Sequence, residues 1–181
     1  AWFDILGEAA MFDAVSRLAA LGHARIGFIG GGMKYAYAPL REAGFRDGMR
    51  DAGLDIDDDL IAQDAVTSAD GEAAAAKLLA HANPPTALVC AVDFAALGAY
   101  RAVDARGLRV GEDVSIIGYD GIPEGAHAQP GLSTYQVDNK SAGERLSSLL
   151  IRRVRGEPVE DLRETALANY VARGSIGQAP L

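Results

Sequence analysis

The sequence predicts an α/β fold, a parallel sheet with helices on both faces. Three observations predict it. Short apolar runs alternate with helical periods from the N-terminus to residue 120. The runs are apolar throughout, as strands buried on both faces of a parallel sheet are. The spacing of run, helix and run is that of βαβ units, which close with right-handed crossovers.

Each element has its own signal. Between residues 8 and 21, Met11, Val15 and Leu18 recur at helical spacing beside Phe12 and Ala19, and Gly22 stands at the stop position. Residues 25–29 (RIGFI) form an apolar run ending in glycines, a buried strand. Leu40, Phe45 and Met49 resume the helical period, closed by Gly53. Residues 60–62 are a weak strand. Thr67 followed three residues later by Asp70 resembles a capping box for a helix over 72–81, which the turn Asn83-Pro84-Pro85 ends. Residues 86–92 (TALVCAV) are the next strand, 94–106 the next helix, and 114–119 (VSIIGY) a fourth strand. Residues 121–131, rich in Gly and Pro and without period, read as a long connection or a crossing between domains. A short strand at 133–137, a helix at about 142–154, a turn at 156–158 and a β-like segment at 168–171 follow.

Composition narrows the function. With 49% apolar and 23% charged residues the chain is ordinary globular material. A net charge of -8 argues against direct nucleic-acid binding, which needs a Lys/Arg-rich face. Cys90 is the single cysteine, in the apolar run ALVCAV, and reads as a buried inert thiol in a reducing compartment. The N-terminus lacks the order of a secretory signal, so the expected location is the cytoplasm. The chain begins without Met inside an apolar run, which suggests a piece of something longer. His23, His81 and His127 are scattered without metal-ligand spacing, so no metal and no cofactor is expected.

The glycines at 30–32 raise a nucleotide reading that the residues refuse. A dinucleotide fingerprint starting at Gly30 needs a sixth-position glycine where Tyr35 stands. A phosphate loop on Gly27 and Gly32 needs lysine where Met33 stands, and Lys34 is one residue late. What remains is a sharp turn at the carboxyl end of a strand, where open α/β sheets hold their ligands. Glycine there permits positive φ and keeps the backbone out of the way. Tyr35, Tyr37 and Arg41 bring rings and a five-donor fork suited to a sugar or another small polyhydroxylated or aromatic ligand. The competing reading is two exposed loop tyrosines and a solvated helix charge.

Four stretches carry a resemblance: LGHARIGFIGG at 21–31, LREAGFRDGM at 40–49, ALVCAVDFAALGAYRAVDARGLRVGEDVSIIGYDGIPEG at 87–125, and PGLSTYQVDNKSAGERLSSLLIRRVRGEP at 130–158. Together, in collinear order, they resemble the effector-binding core of the LacI family of bacterial transcription regulators, a periplasmic-binding-protein-like fold of type I. The resemblance implies a helix-turn-helix headpiece on operator DNA, then two flavodoxin-like subdomains joined by three crossings, with a small-molecule effector in the cleft between them and a homodimer as the working unit. It implies that residues 1–4 end the last strand of the N-terminal subdomain. Residues 5–120 and 159–181 would form the C-terminal subdomain, with 121–158 returning to the N-terminal one and covered by another chain or displaced. The headpiece and several βα units are expected upstream.

The same resemblance names ligand positions. Asp4 matches an acid that follows the first crossing strand and bonds sugar hydroxyls, with capping of the next helix as its alternative. Tyr35 matches a ligand-contacting loop position, and Tyr37 lies in the same loop. Arg41 matches the arginine of R-x-A-G-F, and Asp120 the first acid of the G-Y/F-D-D/N motif, with a turn-capping alternative. Asp93 opens a helix and reads equally as N-cap or ligand group. Three positions depart from relatives: Val92 replaces an asparagine, Gly121 replaces the second acid, and Val66 stands where a stacking aromatic is frequent. These departures point to an effector less polar than, or shaped differently from, a simple hexose.

Three function classes follow. The first is a ligand-responsive regulator whose headpiece is absent from this chain. The alternative is a sugar-binding protein of a transport system, which a signal peptide upstream would mark. The third is an α/β enzyme, against which no G-x-S-x-G elbow, Cys/His pair or paired carboxylates appear.

Overall fold

The computed structural model describes residues 1–180. Its larger sheet contains β2 (Ile26–Ile29), β3 (Ile61–Ala62), β4 (Ala87–Cys90), β5 (Ser115–Asp120), β6 (Ser133–Gln136) and β8 (Asn169–Val171), in the order β3-β2-β4-β5-β6-β8. Apart from β8, which runs antiparallel to β6, neighbours are parallel. Without β8 this is the flavodoxin-like order, whose switch point lies between β2 and β4. A second sheet pairs β1 (Trp2–Ile5) with β7 (Arg163–Ala166) in parallel.

The helices lie where apolar periodicity requires. α1 (Gly7–Ala20) and α2 (Tyr37–Asp51) cover one face, with Met11, Val15, Leu18, Phe45 and Met49 against Phe28, Val89, Ile117 and Tyr119. α3 (Ser68–Leu79) and α4 (Asp93–Asp104) cover the other, with Leu78, Leu79, Ala99 and Val103 against Ile29, Leu88, Cys90 and Ile116. Along β2 and β4 successive residues go to opposite clusters, the period of two that makes a strand apolar on both sides. The expected capping box is present: Thr67 Oγ1 accepts from Asp70 N–H at 3.2 Å, and Asp70 Oδ2 accepts from Thr67 N–H at 2.9 Å. The Thr67 hydroxyl, which donates to Asp70 Oδ2 at 2.7 Å, and then the Thr67 N–H hold the Asp70 carboxyl below the usual range.

Two expectations are corrected. Residues 121–131 do not carry the chain out of the larger sheet: they form a short helix, α5 (Pro123–His127), and deliver β6 beside β5, with Ile117 opposite Ser133 and Asp120 opposite Gln136. Ser133, Thr134 and Tyr135 are buried there. The crossing comes later, at Val137 and Asp138, where Asp138 Oδ1 accepts from Ser141 N–H at 3.0 Å and starts α6 (Asn139–Val154). The chain returns not at residue 159 but after β7, through Leu167 and Ala168. So residues 133–136 belong to the larger sheet and 163–166 to the smaller, opposite to the division expected at 121–158 and 159–181. Leu181 lies outside the described residues. β8 then pairs antiparallel with β6, with Thr134 opposite Val171 and Gln136 opposite Asn169.

His23 ties the end of the chain to the sheet. Its ring is 1% exposed, with Nδ1 2.8 Å from Thr86 Oγ1 and Nε2 3.0 Å from Ser115 Oγ and 3.2 Å from the Gly177 carbonyl. Burial holds its pKa below 6.5. An unfolded chain therefore binds a proton that the folded one refuses, so this contribution is complete above pH 6.5 and shrinks as pH falls below it. Urea unfolding at pH 7 and pH 5.5 should show a loss approaching about 1.4 kcal/mol per pH unit. His23→Gln should flatten that dependence. An unchanged slope in the variant would remove His23 as its source.

Candidate functional site

One cavity of about 620 Å³ opens where the two sheets meet. Its walls come from β1 and the start of α1, the loop between β2 and α2, the end of β5, and the crossing into α6. This is the carboxyl edge of the larger sheet. Phe3, Asp4 and Glu8 line one side, Tyr35, Tyr37, Leu40 and Arg41 another, Tyr119 and Asp120 the floor, and Val137, Asn139 and Leu146 the far wall.

Arg41 is the best-fixed group. Its side chain is 9% exposed, and Nη1 donates to the Ala91 carbonyl, at the end of β4, at 2.5 Å. The guanidinium lies between two rings, 4.4 Å from the centre of Tyr37 and 3.7 Å from that of Tyr119. Tyr35 stacks on Tyr37 at 5.6 Å and 8°, which makes a four-membered pile from solvent to the sheet. Arg41 Nε has no hydrogen-bond partner. Gly7 makes the arrangement possible, since a Cβ there would sit 2.8 Å from Arg41 Nε. The solvated-charge reading of Arg41 is therefore wrong.

The glycine turn has a simpler role than the one expected of it. Gly30, Gly31 and Gly32 do not take positive φ. What they supply is room: a Cβ on Gly31 would meet the Tyr37 ring at 2.6 Å, and one on Gly30 would meet Gln63 Oε1 at 2.4 Å. Asp64 holds the turn from outside, its Oδ1 accepting from Met33 N–H at 3.1 Å.

Asp120 closes β5 with φ of 126°, a region that costs a non-glycine residue about 1–3 kcal/mol and persists where surrounding structure enforces it. Burial pushes its carboxyl up to about 6, against the pull of Arg41 and with the repulsion of Asp93 added. Gly121 follows at φ 78°, where a Cβ would lie 2.5 Å from Gln136 Cγ; this excludes the second acid of the related motif. Asp4 is exposed at the rim, and its Oδ1 accepts from Ile5 N–H at 2.8 Å. It does not cap α1, which has no side-chain cap.

Of the six residues singled out in the sequence, the structure brings five to this cavity: Asp4, Tyr35, Tyr37, Arg41 and Asp120. Asp93 is the exception. It is fully buried, and its oxygens are taken by Gly121 N–H, Ile122 N–H and the Thr134 hydroxyl. It neither reaches the cavity nor caps its own helix. Val66 and Val92, two of the departures noted above, do not line the cavity. Sequence reasoning missed Tyr119, although its place two residues after Ile117 on a buried strand signals the α1/α2 face. Phe3, Leu40 and Leu146 carried no signal beyond ordinary apolar pattern.

A strand-edge cavity between two sheets joined by three short crossings defines a two-lobed ligand-binding domain. A family model described as a periplasmic binding protein-like domain matches residues 15–176. The HTH-type transcriptional regulator AglR of Rhizobium meliloti (strain 1021) is 31% identical over 182 residues, 98% of this chain and 51% of the regulator. The crystal structure of a regulatory protein of the LacI family from Chloroflexus aggregans superposes with a TM-score of 0.92 at 32% identity, over 98% of this chain and 64% of that one. A complex of the transcriptional regulator CelR with cellobiose superposes at 0.90 with 31% identity, over 97% of this chain and 54% of that one. The chain belongs to the periplasmic binding protein-like family, as an effector domain of the LacI type. It spans about half the length of the curated relatives it matches. Among the described residues no helix is long and apolar enough to cross a membrane.

Proposed function

We propose that this chain is the effector-sensing part of a LacI-type transcription regulator and that it binds a sugar or related polyhydroxylated metabolite between its two sheets. One observation carries the reading: Arg41, Asp120 and Asp4 share a single cavity with the faces of Phe3, Tyr35 and Tyr37. Carboxylates accept hydroxyl protons, a guanidinium donates to oxygens, and rings cover the apolar faces of a sugar or flat heterocycle. The relatives' description as HTH-type and the cellobiose bound to CelR support it. Effector would stabilise one arrangement of the two lobes about the crossings at Leu6, Val137–Asp138 and Leu167–Ala168. In a cytoplasmic homodimer that shift would change the spacing of two headpieces on operator DNA. The net charge of -8 leaves DNA contact to the headpiece.

The test is a thermal-shift screen of the 181-residue chain against neutral sugars, nucleosides and small metabolites. A ligand present at 100 times its dissociation constant adds about 2.7 kcal/mol of stability. A true effector raises the melting temperature of the natural chain and loses that effect in Asp120→Ala. Equal stabilisation of both would move binding away from this cavity.

Proton linkage gives a second check. An ionised Asp120 accepts ligand hydroxyls and a protonated one gives up that capacity, so affinity should rise with pH through about 6. The slope is at most tenfold per pH unit for one proton. Asp120→Asn should bind more weakly and lose the dependence between pH 5 and 7. A natural chain whose affinity falls as pH rises would contradict the assigned role.

A further inference from the structure

Asp93 lies behind the cavity floor, in a place that binding alone does not explain. Its Oδ2 accepts from the N–H groups of Gly121 and Ile122 at 2.8 and 2.9 Å, and its Oδ1 from the Thr134 hydroxyl at 2.6 Å. The two amides follow directly after Asp120, the residue at φ 126°, and Thr134 stands on β6 opposite Gly118. Gly118 is built around the contact, since a Cβ there would sit 2.2 Å from Asp93 Oδ1. A buried carboxylate with all these partners is a fixed point, and it fixes the turn on which Asp120 is mounted.

We infer that Asp93 is a positioning residue: it clamps the backbone immediately after Asp120 and so holds the Asp120 carboxylate toward the cavity. The value of that clamp for sensing rests on the proposed function; the clamp itself does not. Charges around it are defined. Asp120 faces Arg41 and Tyr37 from α2, Tyr119 beside it on β5, Asp4 on β1, Glu8 on α1 and Asp93 from α4. Asp93 itself has Arg173, Cys90 and Tyr100 nearby. Burial first, then the Asp93 charge, raise the Asp120 carboxyl, and Arg41 opposes them.

Two variants separate clamp from charge. Asp93→Asn keeps an oxygen for the two amides and offers its NH2 to the Thr134 oxygen, but removes the charge. Asp93→Ala removes the clamp. Carbon-13 carboxyl titration of Asp120 in the 181-residue chain should show a midpoint of about 6 in the natural protein. In Asp93→Asn it should fall by about half a unit or more, with the Gly121 and Ile122 amides still protected from exchange. In Asp93→Ala those amides should exchange at least about tenfold faster. If the Gly121 and Ile122 amides in Asp93→Ala are as well protected as in Asp93→Asn, the clamp is absent and the inference is overturned. If Asp93→Ala does not fold, Asp93→Ser, whose side chain is too short to hold both amides, is measured in its place with the same two outcomes. Neither readout uses an effector, so failure of the clamp and failure of the binding reading are told apart.

Discussion

Arg41→Ala is expected to weaken effector binding by about 2 to 4 kcal/mol, at least about thirtyfold in dissociation constant. Hydrogen bonds to a charged group contribute about 1.5–3 kcal/mol each, and a stacked guanidinium adds about 1 kcal/mol per ring when it is largely desolvated. Arg41 is already fixed before ligand arrives, by the Ala91 carbonyl on one side and by the Tyr37 and Tyr119 rings above and below. Ligand binding therefore spends little entropy on ordering it, and its loss falls directly on affinity. Truncation also leaves the buried Ala91 carbonyl without this donor and the two rings without their filling, so stability should fall by about 1–3 kcal/mol. Calorimetric titration and a urea melt of the same variant separate the two losses. Arg41→Lys keeps the charge but neither the planar stack nor the fork, and should recover little of the binding. Undiminished affinity in Arg41→Ala would show that the effector does not use this group.

The largest effect on stability is expected at Gly98. Helices α3 and α4 approach so closely that a Cβ on Gly98 would lie 2.0 Å from the Ser68 carbonyl oxygen, and one on Gly71 would lie 2.2 Å from that of Ala95. Both obstacles are backbone, so no side chain can swing aside and the helices must separate. Overpacking of a fitted interface costs about 1–3 kcal/mol and occasionally more, and a clash of this depth belongs at the upper end. Gly98→Ala should lower the melting temperature by about 6 to 12 °C, taking about 3 kcal/mol and a chain of this length. Gly143 is the matched control. It lies in α6 with nothing within 4 Å of an added Cβ, and Gly143→Ala should stabilise by about 0.5–1 kcal/mol through helix propensity. A Gly98→Ala protein as stable as the natural one would contradict the helix spacing described here.

Much of this was legible in the residues. Strands β2, β4 and β5 are apolar on both faces because helices cover both, and that pattern survives any choice of register. Thr67 and Asp70 identified a helix start because a capping box is local chemistry that needs no knowledge of the fold. The cavity residues Tyr35, Tyr37 and Arg41 were found because the carboxyl ends of parallel strands are where backbone groups and side chains are left over. Asp4 and Asp120 came from resemblance.

What was missed depends on distant partners. β7 reads RETA, a short segment with no apolar run, and it is a strand because β1 lies beside it. The place of β6 is decided by β5 through buried Ser133 and Thr134, polar residues that gave no sign of burial in the sequence. Asp93 looked like a ligand group or a cap because an acid at the start of a helix is usually one of these. Its actual partners are 28 to 41 residues away in sequence. Helix α6 keeps Leu146, Leu150, Ile151 and Val154 exposed, an amphipathic stripe that could be read in the sequence, while what packs against it could not.

The most direct measurement is a crystal structure of the chain with the effector that emerges from the thermal-shift screen. The account predicts that ligand fills the space between the sheets, with its oxygens in hydrogen-bond contact with the Arg41 guanidinium and the Asp120 carboxylate and a ring of tyrosine or phenylalanine against its apolar face. An effector seated elsewhere, with both of those side chains untouched, would contradict it.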